Sequence, residues 1–577
     1  MKYLSKAWTL LLAVMLLILC SACRAEEQQE EELSGGESPK TAEIAVTEDI
    51  NDVGMIEDKS VYDEDDPYSI AYFYVTVQRG DEGSQTDHSF AEVNNVVRFL
   101  NSTHVVNDVY AKAIVQAGDE NGPKEGMLGY GQTEPNAKIR IRGNSSTVKP
   151  QKSYKLDLDK DAGLWRGQSN LALNKHVFDV TKLKNKLYYD MLKDNEDVPS
   201  CRTQFVRLFI KDETSQKEQF EDYGLYTQVE VPNKKYLANR GLDKEGYLYK
   251  AISFNFEPSE GLKDFEDPDF NQEAFDAILS CKGRKDNQKL IELVDKINDT
   301  SIDINDIIGT YIDRDNYLTW LAYNILTANI DTTVQNFYLY SPTNSEKWFF
   351  IPWDSDNMLH AREDAMEGLT ESYGNWEHGI SNYWGVILHQ RFLKSDENRK
   401  ELADKVDELH RVFNKTAVDE KVREYNEVIE PYILSMPDYY YLEHTREERD
   451  TILAGLGDEV EESYQAFQSS LHELMPFFMY EPQQSGNMVV FSWDDAYDFE
   501  NQDITYRLTV SRTPDMASPV IDEQQMTQVE YRTSDLEPGT YYFRVTAEAA
   551  DKRTSQAINK IEINDVFYPG VDTMEVR

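Results

Sequence analysis

The hydrophobic period of this chain changes twice, and that limits its fold more than any single motif. Residues 67–158 carry alternating runs, IAYFYVTVQ, NDVYAKAIVQ, NAKIRIRG and KSYKLDLD, the pattern of half-buried strands. CRTQFVRLFI (201–210), YGLYTQVEV (223–231) and GYLYKA (246–251) continue in that style. One helical segment, FDVTKLKNKLYYDMLK (178–193), interrupts them, with Asp179 or Thr181 near its start. From about residue 270 the period becomes helical, through AFDAILSC, LIELVDKI and NYLTWLAYNILTAN (316–329), and residues 386–480 are helical almost throughout. From about residue 486 alternation returns in VVFSWDDAYD, ITYRLTVSRT and LEPGTYYFRVTAEA. A strand-rich half followed by a helix-rich half predicts a two-lobed α+β architecture with a cleft between lobes. The tail predicts a β-sandwich.

The 577 residues leave room for two or three domains, and a net charge of −46 argues against nucleic acid or an anionic membrane surface as partner. At the N-terminus, Lys2 and Lys6 precede an apolar run, Ala7–Cys20, that ends in CSAC (20–23). That is a secretory leader. Small residues before Cys23 resemble a bacterial lipobox, which makes Cys23 the lipidated residue after cleavage, although Cys20 stands where a branched aliphatic residue is usual. The expected organisation is a leader over 1–23, an acidic flexible tether over 24–66, a main domain over 67–480 and a sandwich over 486–569. The location expected is the extracytoplasmic face of the cell membrane. Cys201 and Cys281 are too few for a disulfide framework or a zinc site, though one bridge stays open. HExxH, GxSxG, GxxxxGK[ST] and GxGxxG are all absent from the sequence.

The chemistry concentrates in NIDTTVQNFYLYSPTNSEKWFFIPWDSDN, residues 329–357. FYLY (337–340) and WFFI (348–351) flank a polar loop and read as an antiparallel hairpin. If Tyr340 pairs with Trp348, position 336 faces 352 and Asp354 follows on the same face. Diagonal neighbours on one face lie roughly 7–8 Å apart. Asp331, Asn336, Asp354 and Asp356 then converge, and a hard cation with oxygen ligands is the natural neutraliser. The competing reading is local: Asp and Asn cap helices and turns, and Asp354-Ser-Asp356-Asn357 also fits an Asx turn.

Further segments recur around the hairpin: RIRGNSS (140–146), KPQKSYKLDL (149–158), LALNKHVFDVTKLKNKL (171–187), YGLYTQVE (223–230) and GYLYKA (246–251). With IPWDSDN, the series resembles the CotH family of spore-coat-type atypical protein kinases. The resemblance spans roughly residues 100–360, with helical continuation to about 480. It implies a divergent two-lobed protein-kinase-like fold with a helical C-terminal subdomain. It also implies transfer of phosphate from ATP to Ser of a surface or coat protein, with Mg²⁺ or Mn²⁺. Asp331 matches the catalytic position, as the base that orients or deprotonates the acceptor hydroxyl. Asn336 and Asp354 match the metal positions, with Asp356 a weaker candidate that also fits a cap. Lys152 matches the family's phosphate-gripping Lys; Lys155 meets the same argument. Glu230 is the candidate to orient that Lys, or an ordinary strand-end charge. Arg142 with Gly143-Asn144-Ser145 fits a turn near phosphate or a purely structural one, and Lys250 is a further basic candidate. Lys184-Asn185 stands where the family has Arg-Asn, which keeps the charge and loses bidentate geometry. The tail, with Trp493 in its core and Tyr541 after the PGT turn, resembles a fibronectin type III module. The alternative function is a surface adhesion or scaffold protein that keeps the fold without catalysis.

Overall fold

The computed structural model describes residues 55–98, 108–564 and 566–577. The leader, Cys23 and the tether before residue 55 lie outside the described residues. Among the described residues no helix is long and apolar enough to cross a membrane.

The first half folds into one sheet of eight strands: β1 (Ile70–Gln78), β2 (Ala111–Asp119), β3 (Gly122–Pro123), β4 (Ala137–Arg142), β5 (Ser153–Leu158), β6 (Asn170–Asn174), β7 (Thr203–Asp212) and β8 (Glu221–Glu230). Their order is β1-β7-β8-β6-β5-β4-β2-β3, and β1 also pairs with β2. The sheet therefore closes on itself, with only the short β3 left outside the ring. The alternation read in the sequence fills the interior: Phe73, Val75, Ile139, Leu156 and Leu208 pack there as one core. One feature of the closure escaped the sequence pattern, since β1 runs parallel to β7, its neighbour from far along the chain.

The segment before β1 is docked rather than a free tether. Glu57 pairs with Arg240 at 2.7 Å, and Asp65 pairs with Arg202 and Lys193 at 2.9 Å each. Cys201 and Cys281 are free thiols, so no bridge joins them.

A second sheet runs β10-β9-β11-β12, from β9 (Tyr247–Ala251), β10 (Leu279–Cys281), β11 (Phe337–Ser341) and β12 (Phe349–Pro352). Helices cover it. Central among them is Arg314–Leu326, capped by the Asp313 carboxylate, which accepts from Asn316 N. Every residue from Asn316 to Leu326 is buried, so this helix is the lobe's axle rather than a surface element. Asn316 fastens it to the hairpin: its carboxamide accepts from Phe350 N at 2.6 Å and donates to Phe350 O at 3.1 Å. Trp320 stacks on Phe350 with ring centroids 4.5 Å apart.

Helices Asp396–His410, Lys415–Ile433 and Arg446–Ser470 complete the lobe. Beyond them the chain is extended, not helical. Leu474, Phe477 and Met479 bridge to Asp498, Ala557 and Trp493, and all three pack in the core of the C-terminal sheets. That unit is a β-sandwich. Met488–Ser492 pairs with Gln483–Ser485 and Glu530–Thr533, and Ile504–Ser511 pairs with Pro519–Met526 and Gly539–Ala549 across the core. Trp493 is buried there, and the Tyr541 hydroxyl donates to Glu537 O at 2.8 Å, tying the turn to the strand that follows it.

Candidate functional site

Asp331 sits in a single 3₁₀ turn, Ile330–Thr332, directly after the central helix. Thr332 Oγ1 donates to Asn329 O at 2.9 Å, and Asn382 Nδ2 donates to Ile330 O at 3.2 Å. The turn is thus held from both sides, and the Asp331 carboxylate accepts only from Asn357 Nδ2, at 3.3 Å, among the described residues.

The hairpin forms with a register one residue away from the expected one. Phe337 faces Pro352 and Tyr340 faces Phe349. Trp353 N donates to Asn336 O at 3.1 Å, so 336 opposes 353 rather than 352. In a regular pleat that shift would send Asp354 to the opposite face. The pleat stops instead. Asn336 and Asp354 both adopt left-handed backbones, φ 59° and 54°, a conformation that carries strain in residues with a Cβ and that Asn and Asp tolerate best. Asp354 N donates to the Tyr189 hydroxyl at 3.0 Å, which fixes the second of these residues to helix Lys184–Leu192.

Three carboxylates, of Asp331, Asp354 and Asp356, sense one another. Burial first, then repulsion from Asp356 and Asp354, raises the Asp331 carboxyl above its usual range. Burial and Asp356 raise Asp354 likewise, against Arg142, Lys250 and His176. Burial also pushes Asp356 upward, but His176 and Arg142 outweigh it and hold that carboxyl low. The His176 Nδ1 lies 3.6 Å from Asp356 Oδ2.

Beside the carboxylates lie cations without anionic partners. Neither Arg142 nor Lys250 forms a hydrogen bond through its side chain or an ion pair within 4 Å among the described residues. Both stand over Trp353, at 5.9 and 5.7 Å from the ring centre. Burial pulls the Lys250 ammonium down to about 8, and Arg142, Lys282 and Arg140 push the same way while Asp354 opposes. In a chain of net charge −46, such a gathering of unpaired cations is a local exception.

Two expected partners stand elsewhere. Lys152 donates to Thr147 O of the RGNSS turn, and burial alone shifts it; no site carboxylate acts on it. Glu230 does not orient Lys152: it is buried against Arg240 at 2.6 Å. Lys155 pairs with Asp157 at 2.9 Å. Of the basic candidates, Arg142 and Lys250 are the ones that act on Asp354, whereas Lys152, Lys155 and Glu230 are engaged elsewhere. Lys184 forms a buried ion pair with Glu363. Its neighbour Asn185 is buried with both carboxamide atoms unpartnered, and stands one helical turn from Tyr189 on the same face. Gly143 has φ 86°, and a Cβ there would lie 2.2 Å from Ser146 Oγ, so the turn after Arg142 requires glycine. Sequence reasoning passed over His176 and Trp353, whose only signals are a lone His after a strand and an aromatic beside Asp354.

The residues present fit a divalent cation that arrives with phosphates. Among the described residues no group of three or more His, Cys, Asp or Glu side chains is set to hold a metal alone. Mg²⁺ is commonly held by one or two carboxylates with phosphate and water oxygens completing the shell, so a full protein cage is not required. Asp354 makes no hydrogen bond or ion pair through its carboxylate, and Asn336 none through its carboxamide, among the described residues. Both His176 ring nitrogens and Ser355 Oγ are buried and make no hydrogen bond within the usual distance among the described residues.

Residues 139–479 match the family model described as CotH kinase protein. Inner spore coat protein H of Bacillus subtilis (strain 168) is 25% identical over 321 residues, an alignment covering 55% of this chain and 83% of that protein. Two solved structures also align. One is the Helicobacter pylori proinflammatory kinase CtkA, over 59% of this chain and 98% of its own, with 9% identity and a TM-score of 0.25. The other is a chain of the Shewanella oneidensis MR-1 toxin–antitoxin HipA–HipB operator DNA complex, over 61% and 68%, with 11% identity and a TM-score of 0.22. At those scores neither superposition carries an argument.

Proposed function

The chain belongs to the CotH kinase family, and from that premise we propose that it transfers the γ-phosphoryl group of ATP to a Ser hydroxyl of a surface or coat protein. The observation that carries this reading is the juxtaposition of unpaired carboxylates and unpaired cations around Asp354. Asp354 on one side and Arg142 and Lys250 on the other form no contact ion pair among the described residues, and a metal–triphosphate engages both at once.

In this reading Arg142 and Lys250 bind phosphate oxygens, and Arg142 does so with its planar fork. Asn336 and Asp354, with Asp356, would hold Mg²⁺ or Mn²⁺. A divalent ion there offsets charge on the phosphates during transfer. Asp331 takes the proton of the acceptor hydroxyl, whose oxygen forms the new bond to phosphorus as the bond to the β–γ bridging oxygen breaks and ADP departs. A carboxyl raised by burial and by its neighbours is the more basic for that task. His176 positions Asp356. An extracytoplasmic location with a lipid anchor on Cys23 is part of the proposal and rests on the leader sequence alone.

The test is incubation of the purified chain, without its leader, with labelled ATP and Mg²⁺ or Mn²⁺, beside Asp331→Ala and Asp354→Ala. Metal-dependent label transfer, to the chain itself or to an added protein, that both substitutions abolish is expected. No transfer with either metal, or transfer unchanged in both variants, sinks the reading.

A further inference from the structure

A cavity of about 660 Å³ opens beside Asp331. Asp331 borders it, whereas Asn336, Asp354, Arg142 and Lys250 do not. Its charged lining consists of Glu257, Asp331 and Glu377, all acidic. The cavity is therefore distinct from the place proposed for the donor phosphates, and meets it only at Asp331. What fits beside a base, in a space separate from the donor's, is the segment that carries the accepting hydroxyl.

The far wall of the cavity is unusual in origin. Ile558 comes from the C-terminal sandwich and Phe478 from the extended segment leading into it. Phe478 is exposed, and Trp376 and Ile558 are half-buried, so all three are reachable. The wall is fixed to the catalytic lobe. Within the sandwich and its leading segment, Ile558 N donates to Phe477 O at 2.8 Å and Asn559 brackets Met479 through bonds of 2.7 and 3.0 Å, which hold Ile558 beside Phe478. A Cβ on Gly385 of the helical lobe would lie 3.0 Å from Ile558 Cδ1, so the two surfaces are already in close approach. Trp384 packs on Tyr497 and Phe499 with ring centres 5.2 and 5.6 Å apart, and Arg399 lies over Phe499 at 3.9 Å. Lys560 of the sandwich reaches Glu377 at 3.4 Å. A module held this way is not a swinging spacer.

We propose that the sandwich is part of the acceptor site: Trp376, Phe478 and Ile558 receive an apolar side chain of an extended acceptor polypeptide, next to the hydroxyl presented to Asp331. The inference rests on the kinase reading and adds a specificity element to it. Acceptors with an acidic residue at that flanking position are rejected by Glu257 and by Asp331 itself.

The test uses the full chain with Mg-ATP or Mn-ATP and synthetic Ser peptides that differ in one flanking residue. Leu, Phe, Ala or Asp is walked through the positions on each side of the Ser. One position is expected to favour Leu or Phe over Ala in kcat/KM by about tenfold or more, and to reject Asp. Ile558→Glu and Phe478→Ser remove that preference while the KM for ATP is unchanged. Ile558→Ala, which preserves the apolar wall and enlarges the space, shifts the preference from Leu toward Phe. A flat profile at every position overturns the inference, as does a preference that survives all three substitutions or a wild type that labels none of the peptides. Transfer to proteins without any flanking preference leaves the kinase reading standing and removes only this role of the sandwich. A chain that labels neither peptides, proteins nor itself fails both.

Discussion

Asn336 and Asp354 occupy the two ends of one hairpin that meet at its mouth, and both are left-handed, with φ 59° and 54°. Glycine reaches that region without a Cβ penalty. Asn336→Gly is therefore expected to keep stability or raise it by up to about 1 kcal/mol, yet to weaken Mg²⁺-dependent nucleotide binding. Asn336→Ala should lower both. Denaturant unfolding beside nucleotide titration separates the two effects; equal destabilisation by Gly and Ala would mean that the backbone there is unstrained.

Asp331→Asn retains shape and removes the proton acceptor. Transfer should fall by about 10²- to 10⁴-fold with nucleotide affinity little changed. Asp354→Asn should instead weaken binding most when metal is limiting. Single-turnover rates and equilibrium binding across a metal titration distinguish these outcomes. Equal effects of both substitutions on binding would remove the division of labour between the two residues.

Burial, the leading cause, brings Lys250 down to about 8, far below its unfolded value of roughly 10.4. Triphosphate affinity should decline as pH climbs through about 8, because the ammonium loses its charge there in the free protein. Lys250→Arg keeps its charge across that range and should flatten the decline. The folded chain also holds fewer protons at this site than the unfolded chain between about pH 8 and about 10, so this group makes stability rise with pH in that window. A wild-type binding profile that stays level from pH 7 to 9 would contradict the assignment of Lys250 to phosphate.

Lys175, buried at the end of β6, pairs with Asp438 at 2.7 Å and ties the closed sheet to the helical lobe. Gly224, at φ 81°, leaves room for that carboxylate, which also accepts from Leu225 N at 2.7 Å. Asp438→Asn leaves a buried ammonium without its partner and should cost about 3–5 kcal/mol at neutral pH. Burial has already depressed Lys175 to about 8, and the variant's value lies lower still. The deficit should therefore be greatest at low pH and narrow as pH rises toward and past 8. Melting curves for both proteins across this range read the effect directly.

The lobes, the hairpin and the sandwich were legible because burial on one face leaves a period in the sequence. What was not legible had no local signal. FYLY and WFFI are buried on both faces, as every residue of β11 and β12 is, so no alternation marks the register and a one-residue slip is invisible. Lys155 and Lys250 sit on similar strands and Lys152 directly before one, and only the fold brings Lys250 beside Asp354. Glu230 read as a strand-end charge free to help a lysine. Its partner Arg240 caps the end of the next short helix, Lys234–Asn239, and the choice between two cations was made by packing. Residues 57–65 looked like tether by composition, and a few ion pairs dock them.

The ring closure of the first sheet has a consequence for how this chain would move. A closed ring of strands cannot open or slide without breaking its ladders, so the lobe turns as a single piece. Narrowing of the space over Asp354 would draw on bending at the connections between the ring and the other lobe, residues 175–183, 193–202 and 231–246. The ring also offers no long free edge for a neighbour's strand to extend.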